Sequence, residues 1–172
     1  MPRINSKNKG SNMERKVAKK LSEWSGHQFN RTPASGGLHW HEDNSVTGDI
    51  VPPPELCFPL SIEVKKQEVA WDFDFILTGT SALWDFYKQS ARDAYRTTKN
   101  GMFKQPIVVF SKNRRNTYAM IPMEVYDQLP ALHDIRHIEV QFSDLCRVVI
   151  VDFDLMLSAI SLDDVLNLVV PA

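Results

Sequence analysis

The sequence predicts an α/β (α+β) domain with a central mixed β-sheet flanked by helices. Three observations predict it. Met13, Val17, Leu21 and Trp24 recur at near-helical spacing, the segment Leu60 to Lys65 alternates with period two, and the element order is helix, strands, helix, strands, helix. With 172 residues, 43% of them hydrophobic and 24% charged, the chain fits one domain with its own core.

Residues 1–10 are polar and basic and read as a flexible arm. Residues 11–172 read as a single domain, with a core over about 11–122 and a strand and helix extension over about 123–172. Ser11 or Asn12 can cap the first helix, which ends near Ser25-Gly26, where glycine accepts a left-handed backbone. Glu14 lies at the edge of that helix's apolar stripe, in a position to face the sheet. Phe29 to Pro33 reads as a short strand, Ala34 to Gly37 as a turn and Leu38 to Thr47 as a polar loop. Gly48 to Val51 starts a strand that Pro52-Pro53-Pro54 ends. In Leu60–Lys65 the residues Leu60, Ile62 and Val64 share one face, and Ser61, Glu63 and Lys65 the other.

Trp71 to Thr80 is aromatic and irregular, and the stretch 71–86, with Trp71, Phe73, Phe75, Trp84, Phe86 and the adjoining Tyr87, is better suited to core or dimer interface than to base stacking. A helix from about Ser81 to Thr98 sets Gln89, Arg92 and Arg96 on one side. Pro106–Phe110 and Tyr118–Ile121 form a hairpin around a basic turn carrying Lys112, Arg114 and Arg115, for which phosphate contact and plain solvation weigh equally. A short helix opens at Pro122, strands follow at Ile138–Phe142 and Val148–Val151, and Ser161 caps a last helix with Asp163 and Asp164 in its first turn.

The net charge of −1 argues against a protein that coats nucleic acid. The charge is polarised, however. Residues 1–31 carry eight basic side chains, among them Arg3, Lys7, Lys9, Arg15 and Arg31, against two acidic ones, whereas residues 120–172 carry nine acidic against two basic. Such a layout either presents a basic face to a phosphate backbone or is a solvated helix face and tail. There is no apolar run of membrane-spanning length and no hydrophobic signal region, and the widely separated Cys57 and Cys146 read as reduced thiols, so the expected compartment is the cytoplasm.

The chemistry concentrates at Asp49 and at Glu63-Val64-Lys65. Magnesium prefers hard oxygen ligands and keeps several waters, so Asp49, Glu63 and the Val64 carbonyl suffice as protein ligands, with Glu14 as a third carboxylate directly or through water. Such an ion prepares a water and neutralises the leaving oxygen in phosphodiester hydrolysis, and Lys65 can stabilise the attacking hydroxide or bind phosphate as a point charge. An acid-x-lysine triplet arises about once by chance in a chain of this size. Its weight here comes from the upstream Gly-Asp and the alternation through it. His39-Trp40-His41 has no second ligand pair to complete a zinc site and reads as a structural or DNA-contacting loop, with Trp40 better suited to anchoring the loop than to stacking on a base.

Gly10-Ser11-Asn12-Met13-Glu14-Arg15, Arg31-Thr32-Pro33-Ala34-Ser35-Gly36-Gly37, Gly48-Asp49 and Ile62-Glu63-Val64-Lys65 occur in this order. Over roughly residues 7–110 the series resembles the archaeal-type and phage Holliday junction resolvases of the PD-(D/E)XK nuclease superfamily. The resemblance implies a restriction-endonuclease-like core and a magnesium-dependent homodimer, with manganese as substitute ion, that nicks a four-way DNA junction. No organic cofactor and no membrane enter. It implies Glu14 as the helical carboxylate, Ser35 as a hydroxyl near the scissile phosphate, Asp49 and Glu63 as metal ligands, Lys65 as catalytic lysine, Gln89 as the glutamine on the following helix and Arg31 as a phosphate contact. Lys66, beside the triplet, joins Arg3, Lys7, Lys9, Arg15, Arg114 and Arg115 among the expected nucleic-acid contacts. The loop Leu38–Thr47 is longer than the family pattern, and no motif follows residue 110 or so. The alternatives are another nuclease of the superfamily, restriction-like or acting on flaps or ends, and a non-catalytic DNA-binding or assembly protein on the same fold.

Overall fold

A computed structural model describes residues 6–32, 47–66, 73–95, 103–144 and 146–169, with only the backbone described for 6–9. Helix α1 spans Ser6–Ser25 and buries Met13, Val17, Ala18 and Leu21. Gly26 ends it at φ 73°, donating its N–H to the Ser22 carbonyl at 3.0 Å. The Ser22 hydroxyl then accepts the Phe29 N–H at 2.9 Å, which turns the chain back into β1 (Asn30–Arg31). That strand pairs antiparallel with β2 (Ile50–Val51) as a separate two-stranded ribbon.

The main sheet holds five strands: β3 (Leu60–Lys66), β4 (Gln105–Ser111), β5 (Tyr118–Pro122), β6 (His137–Ser143) and β7 (Cys146–Asp152), in the order β3-β4-β5-β7-β6. The β3–β4 pair is parallel and the other pairs are antiparallel, so the sheet is mixed, as expected from the sequence. Its two faces bury two clusters. Ile62, Val64, Ile107, Val109, Ala119 and Ile121 pack with α1 on one face. Val108, Phe110 and Met120 pack on the other against Leu83 and Phe86 of helix α3 (Ala82–Tyr95). At about 1.5–3 kcal/mol for each large apolar side chain buried, these two layers supply the main stabilisation.

The short α4 (Met123–Tyr126) follows β5, and α6 (Leu162–Leu166) is closed by a capping box between Ser161 and Asp164. Trp24 of α1 donates its indole N–H to the Ile160 carbonyl at 2.8 Å and ties the two ends of the domain together.

Some sequence expectations need correction. Helix α1 starts at Ser6 rather than at a Ser11 or Asn12 cap, so residues 6–10 belong to a helix and not to an arm. The stretch read as irregular contains the short helix α2 (Phe73–Leu77), whose Phe73, Phe75 and Leu77 are exposed. Helix α5 (Phe153–Ala159) has no counterpart among the expected elements. The Asp152 carboxylate caps it by accepting the N–H groups of Asp154 and Leu155. The strands after residue 122 are the far half of the same sheet. Arg3, the Ala34–Gly37 turn with Ser35, His39-Trp40-His41, Trp71 and Arg96 lie outside the described residues. Cys57 and Cys146 are free thiols, and among the described residues no helix is long and apolar enough to cross a membrane.

Candidate active site

Asp49 owes its place to the residue before it. Gly48 has φ 75° and forms a parallel bridge with Ile62, where a Cβ would come within 2.5 Å of the Ile62 carbonyl oxygen. Only glycine permits both the backbone angle and the approach. The approach lets the Asp49 N–H donate to the Ile62 carbonyl at 2.8 Å, while the Asp49 carbonyl accepts the Thr32 N–H at 2.8 Å. The Thr32 hydroxyl adds a bond to the Gly48 carbonyl at 2.9 Å. The Asp49 side chain then turns back to β3, where Oδ2 accepts the Val64 N–H at 2.7 Å. The N–H and C=O of one strand residue point to the same side, so the Val64 carbonyl faces the sheet edge where Asp49 stands.

Glu63 and Lys65 share the opposite, α3-facing side of β3, as the alternation requires. That side is covered, and Glu63 is buried. A buried carboxylate needs partners to offset its lost hydration. Lys65 Nζ donates to Glu63 Oε1 at 2.6 Å and to Gln89 Oε1 at 3.0 Å, and Gln89 Nε2 donates to Glu63 Oε1 at 3.1 Å. The three side chains form a closed ring, backed by the Phe86 ring with its centroid 5.9 Å from Lys65 Nζ.

Glu14, from the half-buried edge of α1, pairs with Arg31 of β1. The structure thus joins two residues to which the sequence reading gives separate tasks. The site is electrostatically coupled. Burial first, then the Glu63 and Glu14 charges, push the Asp49 carboxyl up to about 6, against the Val64 N–H and Lys65, which favour its ionised form. Glu14, Asp49 and the Glu63/Lys65 pair, brought together from three separate segments of the chain, therefore act on one another beside β3.

Of the remaining candidates, Lys7 and Lys9 lie on α1 and Arg15 is exposed there, bonded to Asn12 Oδ1 at 2.9 Å. Arg114 and Arg115 are exposed on the β4–β5 turn. Lys66 is turned toward that turn's main chain and bonds the Lys112 carbonyl at 2.6 Å. The sequence reading missed Gly48 as the clearance for Asp49, Thr32 as its second anchor and Phe86 as the wall behind Lys65. A Gly-Asp facing an alternating strand was the available signal for the first.

Among the described residues no group of three or more His, Cys, Asp or Glu side chains is arranged to hold a metal ion. The donor set nonetheless fits magnesium, which binds through one or two carboxylates together with water and substrate phosphate. The bonds to Val64, Lys65 and Gln89 use Asp49 Oδ2 and Glu63 Oε1, which leaves Oδ1 and Oε2 for a cation. Burial first, and then the neighbouring Glu63 and Glu14 charges, disfavour the ionised Asp49 carboxyl, and a bound cation would favour that ionised form.

A family model described as "Phage putative PDDEXK endonuclease" matches residues 5–167. The match extends well past residue 110, where the motif series stops, and takes in β6, β7, α5 and α6. No curated protein and no solved structure matches the chain significantly.

Proposed function

The chain belongs to the phage putative PDDEXK endonuclease family, and so to the PD-(D/E)XK superfamily, and from that premise we propose that it is a magnesium-dependent, structure-selective DNA endonuclease, a Holliday junction resolvase acting as a homodimer in the cytoplasm. The observation that carries the reading is the convergence of Asp49, Glu63, Lys65 and Gln89 around the middle of β3.

Asp49, Glu63 and the Val64 carbonyl would hold the ion, with Glu14 joining directly or through water and manganese able to substitute. The bound metal supplies positive charge to the attacking water and to the leaving oxygen. Lys65 has three N–H donors, of which Glu63 and Gln89 take two, so one remains for an oxygen of the scissile phosphate. Gln89 keeps Glu63 and Lys65 in register and stops the lysine from wandering to solvent. Ser35 and Arg31 contact the phosphate backbone in this reading, Arg31 once Glu14 turns toward the metal. Exposed Phe73, Phe75 and Leu77 on α2 offer apolar surface for the second copy of a dimer.

The test is substrate choice. Four-way junctions, linear duplex and single strands are incubated with the protein in magnesium, beside Asp49→Asn. Paired symmetric nicks in the junction alone, lost in the variant, support the resolvase reading. Cleavage of plain duplex, flaps or ends assigns the chain to another activity of the superfamily. Tight binding without cutting would make it a non-catalytic DNA-binding protein.

A further inference from the structure

The turn over residues 111–116 leaves the sheet at the same end as the catalytic lysine. β4 runs parallel to β3 with Lys65 opposite Phe110 and Lys66 opposite Ser111, so the turn begins one strand away from Lys65, a spacing of about 4.8 Å. It is held at both ends. At its start, Lys66 Nζ donates to the Lys112 carbonyl at 2.6 Å and to Ser111 Oγ at 3.3 Å, and the buried Ser111 hydroxyl donates to the same carbonyl at 2.9 Å. At its end, Asn116 Nδ2 donates to Asp152 Oδ2 at 2.9 Å. Between these anchors Arg114 takes φ 58°, a left-handed conformation that a non-glycine residue keeps only where its surroundings impose it, and Arg114 and Arg115 are exposed.

We propose that this turn is a second contact surface for the DNA backbone, reading phosphates that flank the scissile one, and that Lys66 is a positioning residue for it rather than a phosphate ligand. The inference rests on the reading of the chain as a DNA-cutting enzyme. Arginines on a freely moving loop lose conformational entropy on binding, whereas a turn fixed to the catalytic strand presents them already placed. The Lys66 ammonium also covers the Lys112 carbonyl, an acceptor that would otherwise stand near an approaching phosphate. The clasp makes the turn and the active-site strand one unit, so backbone gripped at the turn is brought into register with Lys65.

The test is binding of a fluorescent four-way junction and of a linear duplex in EDTA, where no cutting occurs, over about 50–200 mM salt. The proteins are the wild type, Arg114→Ala/Arg115→Ala, Lys66→Met, and the triple variant. Both arginines are exposed, so their variant tests the surface without disturbing the fold. Its expected effect is a salt slope lower by about 2, roughly one for each phosphate that is no longer neutralised, with KM for cleavage raised and kcat kept. Lys66→Met is expected to weaken binding in the wild type and to add nothing in the arginine-free background, because it acts through the turn. A wild-type slope and KM for Arg114→Ala/Arg115→Ala would overturn the contact surface. A Lys66→Met effect that persists undiminished in the triple variant would make Lys66 a phosphate ligand and overturn its positioning role. A wild type that binds neither DNA would instead sink the nuclease reading itself.

Discussion

Asp49 Oδ2 accepts the Val64 N–H at 2.7 Å, which fixes a carboxylate from outside the main sheet onto the central residue of the Glu63-Val64-Lys65 triplet. This bond lines up Asp49, the Val64 carbonyl and the Glu63 strand along one edge before any ligand arrives. Hydrogen bonds to a charged group contribute about 1.5–3 kcal/mol, enough to hold the geometry against an exposed alternative.

Gly48→Ala is expected to break that alignment. The added methyl would lie 2.5 Å from the Ile62 carbonyl, in a backbone region that L-residues disfavour. Asp49 must shift, and a displacement of about 1 Å lowers the rate by about 100-fold. Cleavage rates, beside circular dichroism to verify the fold, check this.

Asp49 also makes stability depend on pH. Its carboxyl sits at about 6 in the folded chain against 3.8 in the unfolded one. The folded state therefore holds the proton more tightly. The stability this contributes is fully present below pH 3.8 and is lost as pH rises through about 6. In EDTA, the Tm of Asp49→Asn relative to wild type should climb between these values and level off above them. Magnesium at pH 8 should raise the wild-type Tm and leave that of the variant unchanged. Parallel Tm curves for the two proteins across this range would contradict the assignment.

Lys65→Met leaves buried Glu63 without its counter-charge and should destabilise the chain by about 3–5 kcal/mol. Combining it with Glu63→Gln removes the unpaired charge and should restore most of that loss while activity stays absent. Denaturant unfolding of the two variants separates this stability effect from the chemical one.

Gln89→Leu keeps the volume on α3 but removes both bonds that close the ring. Removing a residue that orients metal-binding and catalytic groups is expected to reduce activity or metal affinity by about 10–100-fold. A titration of manganese against rate measures both. Unaltered kinetics would show that Glu63 and Lys65 hold their places alone.

Local rules make much of the fold legible. The alternation through Leu60–Lys65 divides Ile62 and Val64 from Glu63 and Lys65 as the two sheet faces require, Gly26 ends α1, and Ser161 caps α6. What escapes the sequence depends on partners distant along the chain. Alternation alone is equally compatible with Glu63 on a surface strand. Its burial follows from α3 closing over that face, and the bond it accepts from Gln89 crosses 26 positions. Lys66 looks like one more cation beside the triplet, yet its role depends on a turn 46 positions away. The start of α1 is hidden because Ser11 and Asn12 carry a capping signal that the continuing helix overrides. Helix α5 does have a readable cap in Asp152, followed by Asp154 in the first turn, but Asp152 also ends a strand, and the strand pattern dominates there.

The most direct measurement is the cleavage of a labelled four-way junction by wild-type protein in magnesium, in EDTA, and after magnesium is restored, beside Glu63→Gln. Cutting that appears in magnesium, stops in EDTA, returns with the ion and is absent from Glu63→Gln is the expected result. Cutting that continues in EDTA, or at the wild-type rate in Glu63→Gln, would contradict the assignment of metal-dependent phosphodiester hydrolysis to the edge of β3.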